Sequence, residues 1–387
     1  MRIAMVVPGG DARRVIPRSA AAQLALWLSR VKKGWEVELL VPPPVKGRWR
    51  GLPGVRVVEV GALRVRGLYL ASYAISLSRL LGRYDAVVFY SVAVALSLLK
   101  PRIGLRTRLV LYEWEPWWLL QVYHRRWPPR VAYLVRRIGF LVARRADALI
   151  VVHPRMLTTL SPSDDGIPDV LLEKPLLILP QGVEPEVIGA RPPREEVEGA
   201  WEEMGGGDPL LAFVGMLHPL AVPWEPVILL KRLLDAGVRG ARLAYVGDGE
   251  AAGIVRRVAE KLGVEDRVAM LGFKPPERVQ AYIHAADLLL SPAAPGYYER
   301  TGILPTKLLY YMALGKAAVA APWILVPDHV VIKSRFDEPS DALLEAAVSE
   351  ETRRRVGEAA LEYVKSRHSY DKLAERLAAF LGRLVEA

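Results

Sequence analysis

Seven short apolar runs punctuate residues 1–180: RIAMVV, EVELLV, VRVVEV, DAVVFY, RLVLYEW, ALIVVH and LLILP. Their Val, Ile and Leu content suits strands buried on both faces. Helical periodicity fills the gaps, as in AAAQLALWLSRVKK (20–33) and the stretch from Ala132 to Arg145. The rhythm then repeats. LLAFVGML is followed by a helical stretch near 224–237, and RLAYVG, RVAML, DLLLSP and AAVAAP are each separated by a further one. Continuous apolar strands alternating with helices predict α/β architecture with parallel sheets covered on both faces.

A chain of 387 residues is too long for one ordinary core. Two doubly wound, Rossmann-like domains facing a cleft are therefore expected, one over 1–180 and one over 181–368. The closing segment 369–387, with SYDKLAERLAAFLGRL at helical spacing, is expected to pack back on the first domain. The join falls near PQGVEPE (180–186), and the polar, Gly-rich stretch 191–208 reads as a surface loop. Doubly wound sheets bind ligands at the carboxyl ends of their strands, so the cleft is the expected active site.

Charge separates the halves. Residues 1–180 hold 28 Lys and Arg against 12 Asp and Glu, whereas the remainder is slightly acidic. Cysteine is absent, which excludes disulfides, thiolate metal sites and cysteine nucleophiles. The six histidines and the carboxylates lack metal-ligand spacing, so no metal or other cofactor is expected. The opening MRIAMVV is too short for the core of a signal peptide, and 86–99 is too short to cross a bilayer. The expectation is a cytoplasmic protein. Its Arg-rich, cysteine-free composition would suit a thermophile.

Three turns are candidates for chemistry. PTKLLYYMALGK (305–316) reads as a helix opened by Pro305 and closed by Gly315, with Thr306 as its cap. Thr306, Lys307 and Tyr310 share a face, so a diphosphate at the helix start would meet free N–H groups, the helix dipole and the Lys307 ammonium. YVGDGE (245–250) closes a strand with Gly247 and Gly249, whose N–H groups could approach an anion; it could equally be a tight turn. PGG (8–10) is a similar turn, with Gly9 and Gly10 either shaping an acceptor site or linking two elements.

Together these segments resemble the retaining GT-B glycosyltransferases of family 4. LLAFVGML resembles the strand opening the donor domain, with the Gly215 backbone near the phosphates, and ARLAYVGDGE the glycine turn after its second strand. GVEDRVAMLGFKPPERVQAYIHAADLLLSP resembles the base-binding loop, which includes Phe273. PTKLLYYMALGK resembles the helix over the donor diphosphate, and LPQGVE the inter-domain linker. The resemblance implies transfer of a sugar from a nucleotide-sugar to a glycan or lipid-linked acceptor, with retention and without a metal. The chain departs from the pattern at several places. Tyr310 replaces a ribose-binding glutamate, whose partner would fall at Gly302, with Glu299 nearby. Met216 replaces an arginine, no lysine follows it, and Trp114 stands where a histidine is common. A phenol at 310 would stack on or hydrogen-bond the ribose. A member that binds ligands or partners without transferring sugar, and a sugar-nucleotide epimerase, are the alternatives.

EWEPWW (113–118) gathers Glu113, Glu115, Trp114, Trp117 and Trp118 at a strand end. Indoles pack on sugar C–H faces and carboxylates orient hydroxyls or act as bases; packing between the domains is the other reading. From Pro116 to Ala146 there are seven arginines and no acid. Arg125, Arg126, Trp127, Arg130, Arg136 and Arg137 are the expected contacts with an anionic membrane surface, each basic residue contributing about 1 kcal/mol. Nucleic acid is not expected as a partner, because no recognised binding module accompanies the charge.

Overall fold

In the computed structural model, residues 1–7, 20–42, 52–62, 69–90, 106–123 and 128–387 are described. Each predicted run becomes a strand. The first sheet contains β1 (Arg2–Val6), β2 (Glu36–Val41), β3 (Val55–Glu59), β4 (Ala86–Tyr90), β5 (Arg108–Glu113), β6 (Ala148–Val151) and β7 (Leu176–Ile178). All are parallel, in the order β3-β2-β1-β4-β5-β6-β7. The second sheet contains β8 (Leu210–Val214), β9 (Arg242–Val246), β10 (Val268–Met270), β11 (Leu288–Ser291), β12 (Ala318–Ala320) and β13 (Ile332–Lys333). It is also parallel, in the order β10-β9-β8-β11-β12-β13. The strand order reverses direction between β1 and β4 in one sheet and between β8 and β11 in the other.

Contacts divide the chain into two compact units. The first comprises Met1–Gly182, Arg300–Gly302 and Tyr370–Ala387, and the second Val183–Glu299 and Ile303–Ser369. In the first unit, the helix Tyr370–Glu386 lies along the helix Ala20–Val31. It buries Leu373, Leu377, Leu381 and Leu384, a stripe repeating every three to four residues.

In the second unit, the pleat of β8 supplies both cores. Leu210, Ala212 and Val214 enter one cluster with Leu308, Leu309 and Met312. Leu211 and Phe213 enter the other with Leu229, Leu230 and Tyr245. Such two-sided burial is why the strand reads as a continuous apolar run.

The stretch 191–208 is not a loop: it contains the helix Arg194–Glu203. Pro193 occupies its N-cap position, Glu195 and Glu196 lie in its first turn, and Ala200 is buried. At its last residue, Glu203 accepts from Lys274 Nζ at 2.8 Å, Arg278 Nη2 at 2.6 Å and the Tyr282 hydroxyl at 2.5 Å. Those three donors hold its carboxyl near pKa 2, well below the ordinary value.

Candidate functional site

The helix Thr306–Ala313 starts beside the carboxyl edge of the second sheet. Its N-cap is Pro305, with no side-chain cap, so Thr306 is the first helical residue and not the cap that its sequence position suggested. The opening N–H groups of an α-helix have no partner within the helix. The Tyr311 hydroxyl ties the helix to β8, accepting from Val214 N at 2.8 Å and donating to Val214 O at 2.9 Å. The ladder between β8 and β11 pairs Leu211 with Leu288 and Ala212 with Leu289. Tyr311 therefore takes the Val214 backbone groups beyond that register.

Lys307 is the unusual member of this helix. Its side chain runs past Gly215, where an added Cβ would lie 3.6 Å from Lys307 Cε. Its ammonium lies 3.6 Å over the centroid of the Phe213 ring. Lys307 Nζ is buried without a hydrogen-bond partner, although the residue as a whole is half-exposed. Desolvation lowers its pKa from 10.5 to about 7. Aromatic faces attract cations, but they do not accept the three hydrogen bonds an ammonium offers. Ser291, the last residue of β11, likewise buries a hydroxyl without a partner. Both orphaned groups belong to elements at the point where the strand order reverses.

Of the two roles the sequence left open for Gly247 and Gly249, the tight turn is the one their backbone geometry accounts for. Gly215 N donates to Val246 O at 2.8 Å, Gly247 N to Gly272 O at 2.8 Å, and Gly249 N to Asp248 Oδ1 at 2.7 Å. None of the three N–H groups is free to meet an anion in this conformation. Close backbone approach is what requires glycine: a Cβ on Gly247 would lie 2.0 Å from Gly215 O, and one on Gly249 2.4 Å from Leu217 O. Beside this knot, Met216 and Phe273 are 69% and 77% exposed, which is high for large apolar side chains.

Tyr310 is not free to hydrogen-bond a ribose through its proton, because its hydroxyl donates to Glu184 Oε2 at 2.7 Å. The two residues are 126 positions apart in sequence. Glu184 lies in the LPQGVE segment, which sequence reading treated only as a linker. At Gly302 the absence of a carboxylate has a steric reason: φ is +69° and a Cβ would come 2.2 Å from His153 Nδ1. Burial of that imidazole also lowers its pKa. Glu299 is exposed on the short helix Tyr297–Thr301.

In the first unit, Glu113 ends β5 and is 2% exposed, while Trp114 and Glu115 are half-buried. The Trp114 ring lies 6.0 Å from Tyr112 and 6.4 Å from Tyr90, so it packs over the strand ends. Trp117 opens the helix Trp117–Tyr123. Trp118 donates its indole N–H to Thr159 O at 3.2 Å, and its ring carries the guanidinium groups of Arg136 and Arg300 at 5.2 and 5.7 Å. Packing, rather than an open sugar platform, is what this side chain does.

Arg136 is a correction to the expected membrane face. It is 4% exposed, donates to the carbonyls of Ser161, Thr158 and Ser163, and pairs with Asp164 at 2.9 Å. Arg300 pairs with the same Asp164. Arg130 and Arg137 do lie on the exposed side of the helix Pro129–Arg145, beside exposed Val131, Tyr133, Leu134 and Leu141. Gly9, Gly10, Arg125, Arg126 and Trp127 lie outside the described residues. Among the described residues, no group of three or more His, Asp or Glu is placed to hold a metal ion. Among the same residues, no helix is long and apolar enough to cross a membrane.

Comparison with known proteins agrees with this geometry. Residues 208–347 match the family described as glycosyl transferases group 1. The chain is 37% identical over 105 residues to a D-inositol 3-phosphate glycosyltransferase of Nocardia farcinica, covering 25% of this chain and 22% of that one. It is 30% identical over 166 residues to a 2-deoxystreptamine N-acetyl-D-glucosaminyltransferase of Streptomyces fradiae, covering 41% and 34%. The chain thus spans only about a fifth to a third of those relatives' lengths. Among solved structures, Anabaena HepE in complex with UDP and glucose superposes with a TM-score of 0.72 at 15% identity, over 99% of this chain and 100% of that one. WaaG, a glycosyltransferase involved in lipopolysaccharide biosynthesis, gives 0.61 at 17% identity, over 98% and 99%. At such identities the likeness shows the fold. The chain has the GT-B fold, and its residues 208–347 resemble the glycosyl transferases group 1.

Proposed function

We propose that this protein is a glycosyltransferase that takes a sugar from a nucleoside-diphosphate donor and passes it to a hydroxyl of a glycan or lipid-linked acceptor. The observation that carries the reading is Lys307: a buried ammonium without a protein partner, on a helix start at the carboxyl edge of a group 1 glycosyl transferase sheet. A diphosphate there gives the ammonium its missing acceptors and meets the unpaired N–H groups of the first helical turn. Relatives named as glycosyltransferases and a UDP-bound structural neighbour support a nucleotide-sugar as donor.

In the proposed reaction the acceptor oxygen bonds to the anomeric carbon while the bond from that carbon to phosphate breaks. The acceptor proton passes to the departing phosphate oxygen, on the same face, and configuration is retained. Lys307 and the helix dipole stabilise the charge that builds on the leaving diphosphate, the role a divalent cation fills elsewhere. Glu113 and Glu115 orient acceptor hydroxyls. The exposed Arg and apolar face of Pro129–Arg145 docks the protein peripherally on an anionic membrane that carries the acceptor.

A thermal-shift screen with nucleoside diphosphates and nucleotide-sugars tests the donor site. A ligand at a hundred times its dissociation constant adds about 2.7 kcal/mol of stability. The expected result is a selective shift in the wild type that Lys307→Ala abolishes. A flat response across the panel contradicts the proposal.

A further inference from the structure

A carboxylate tied to the helix Thr306–Ala313 comes from outside it. The chain from Val183 to Ala190 follows the helix Thr306–Ala313: Val183 N donates to His368 O at 2.7 Å, and Gly189 N donates to Ala313 O at 2.8 Å. Between those two anchors, Glu184 receives the Tyr310 hydroxyl at 2.7 Å. Tyr310 stands one turn beyond Thr306 and Lys307 on the same helix face. The glutamate side chain is half-exposed. Long side chains such as this one lose rotamer freedom when pinned, and the tyrosine that pins it stands about one helical turn after Lys307 in the helix.

A carboxylate cannot take phosphate, because like charges repel and it has no proton to donate. What it accepts is neutral donors, and paired hydroxyls above all. One hydrogen bond from Tyr310 leaves most of its lone-pair positions available. A nucleoside diphosphate held by Lys307 presents its ribose diol as the next group along the chain.

We infer that Glu184, positioned by Tyr310, receives the ribose hydroxyls of the donor nucleotide and sets the preference for ribonucleotides. The inference rests on the donor-site reading above. Glu184 is the residue that touches substrate; Tyr310 is a positioning residue that fixes its rotamer. The carboxylate lost from the helix itself is thus supplied from the linker.

The test measures affinity, by calorimetry, for inorganic pyrophosphate, uridine diphosphate and 2′-deoxyuridine diphosphate. Wild type, Glu184→Gln, Tyr310→Phe and Lys307→Met are compared. Hydrogen bonds to charged groups contribute about 1.5–3 kcal/mol, so the wild type should prefer the ribonucleotide by roughly tenfold to a hundredfold. Glu184→Gln should bring that preference close to unity, and Tyr310→Phe should reduce it part-way. Neither should alter pyrophosphate affinity, which Lys307→Met should abolish. Pyrophosphate reads the helix start alone, so it separates the two claims. An undiminished ribo preference in Glu184→Gln, with pyrophosphate still bound, overturns the inference and leaves the donor site standing. If the wild type binds none of the three ligands, both fall together.

Discussion

An ammonium enclosed without a counter-ion is costly. By the linkage between pKa and stability, moving Lys307 from 10.5 to about 7 destabilises the ligand-free fold by roughly 4 kcal/mol at neutral pH. The sign follows from proton binding. Between about 7 and 10.5 the unfolded chain holds more protons at this site, so the folded state gains stability as pH rises through that window and loses it as pH falls. Lys307→Met keeps the packing over Phe213 and removes the charge. It should raise the unfolding free energy of the ligand-free protein at pH 7 by about 1–4 kcal/mol. The advantage should shrink towards pH 10, as read by urea denaturation at both pH values. A lysine kept only for structure would give the opposite result, a loss on substitution. Lys307 was legible in sequence as a cation at a helix start, but its enclosure was not, because Phe213 lies 94 positions away. The Tyr310–Glu184 bond was hidden in the same way, by a separation of 126 residues.

At the scale of elements, the strands were legible because burial on both faces writes itself as unbroken apolar runs. The strand β13 was missed, since two residues carry no periodicity. The helix Arg194–Glu203 was missed because its buried face is narrow and its flanks are Pro- and Gly-rich. The glycine turns were recognised, and of the two purposes the sequence left open, ligand approach or a tight turn, the close backbone contacts account for the turn. Gly249→Ala should therefore destabilise by at least about 2 kcal/mol, since its Cβ would meet the Leu217 carbonyl at 2.4 Å. On the same pair of loops, Val222 adopts a left-handed conformation at φ 36°, ψ 55°, which costs a β-branched residue about 1–2 kcal/mol. In the first unit, the helix Pro129–Arg145 separates two arginines that sequence grouped together. Arg136→Ala should destabilise by about 3 kcal/mol, because it strips a buried network of carbonyls and leaves them unpaired. Arg137→Glu should leave stability within about 0.5 kcal/mol and weaken co-sedimentation with anionic vesicles. Equal recovery of both proteins with neutral and anionic vesicles would count against docking by this face.

At the scale of the whole molecule, the basic excess belongs to residues 1–180, whereas the proposed anion site is one lysine in the slightly acidic remainder. Anion recognition here does not depend on bulk charge; it depends on one desolvated ammonium aligned with one helix start. That claim has a thermodynamic signature. At pH 8 an amine that titrates near 7 is mostly neutral, so it must take up a proton to pair with a diphosphate. The direct measurement is calorimetric titration of nucleoside diphosphate into wild type and Lys307→Met at pH 8, in two buffers of different ionisation enthalpy. Uptake of close to one proton is expected in the wild type, and neither uptake nor comparable affinity in the variant. Full-strength binding without proton uptake, or unchanged binding by Lys307→Met, would contradict it.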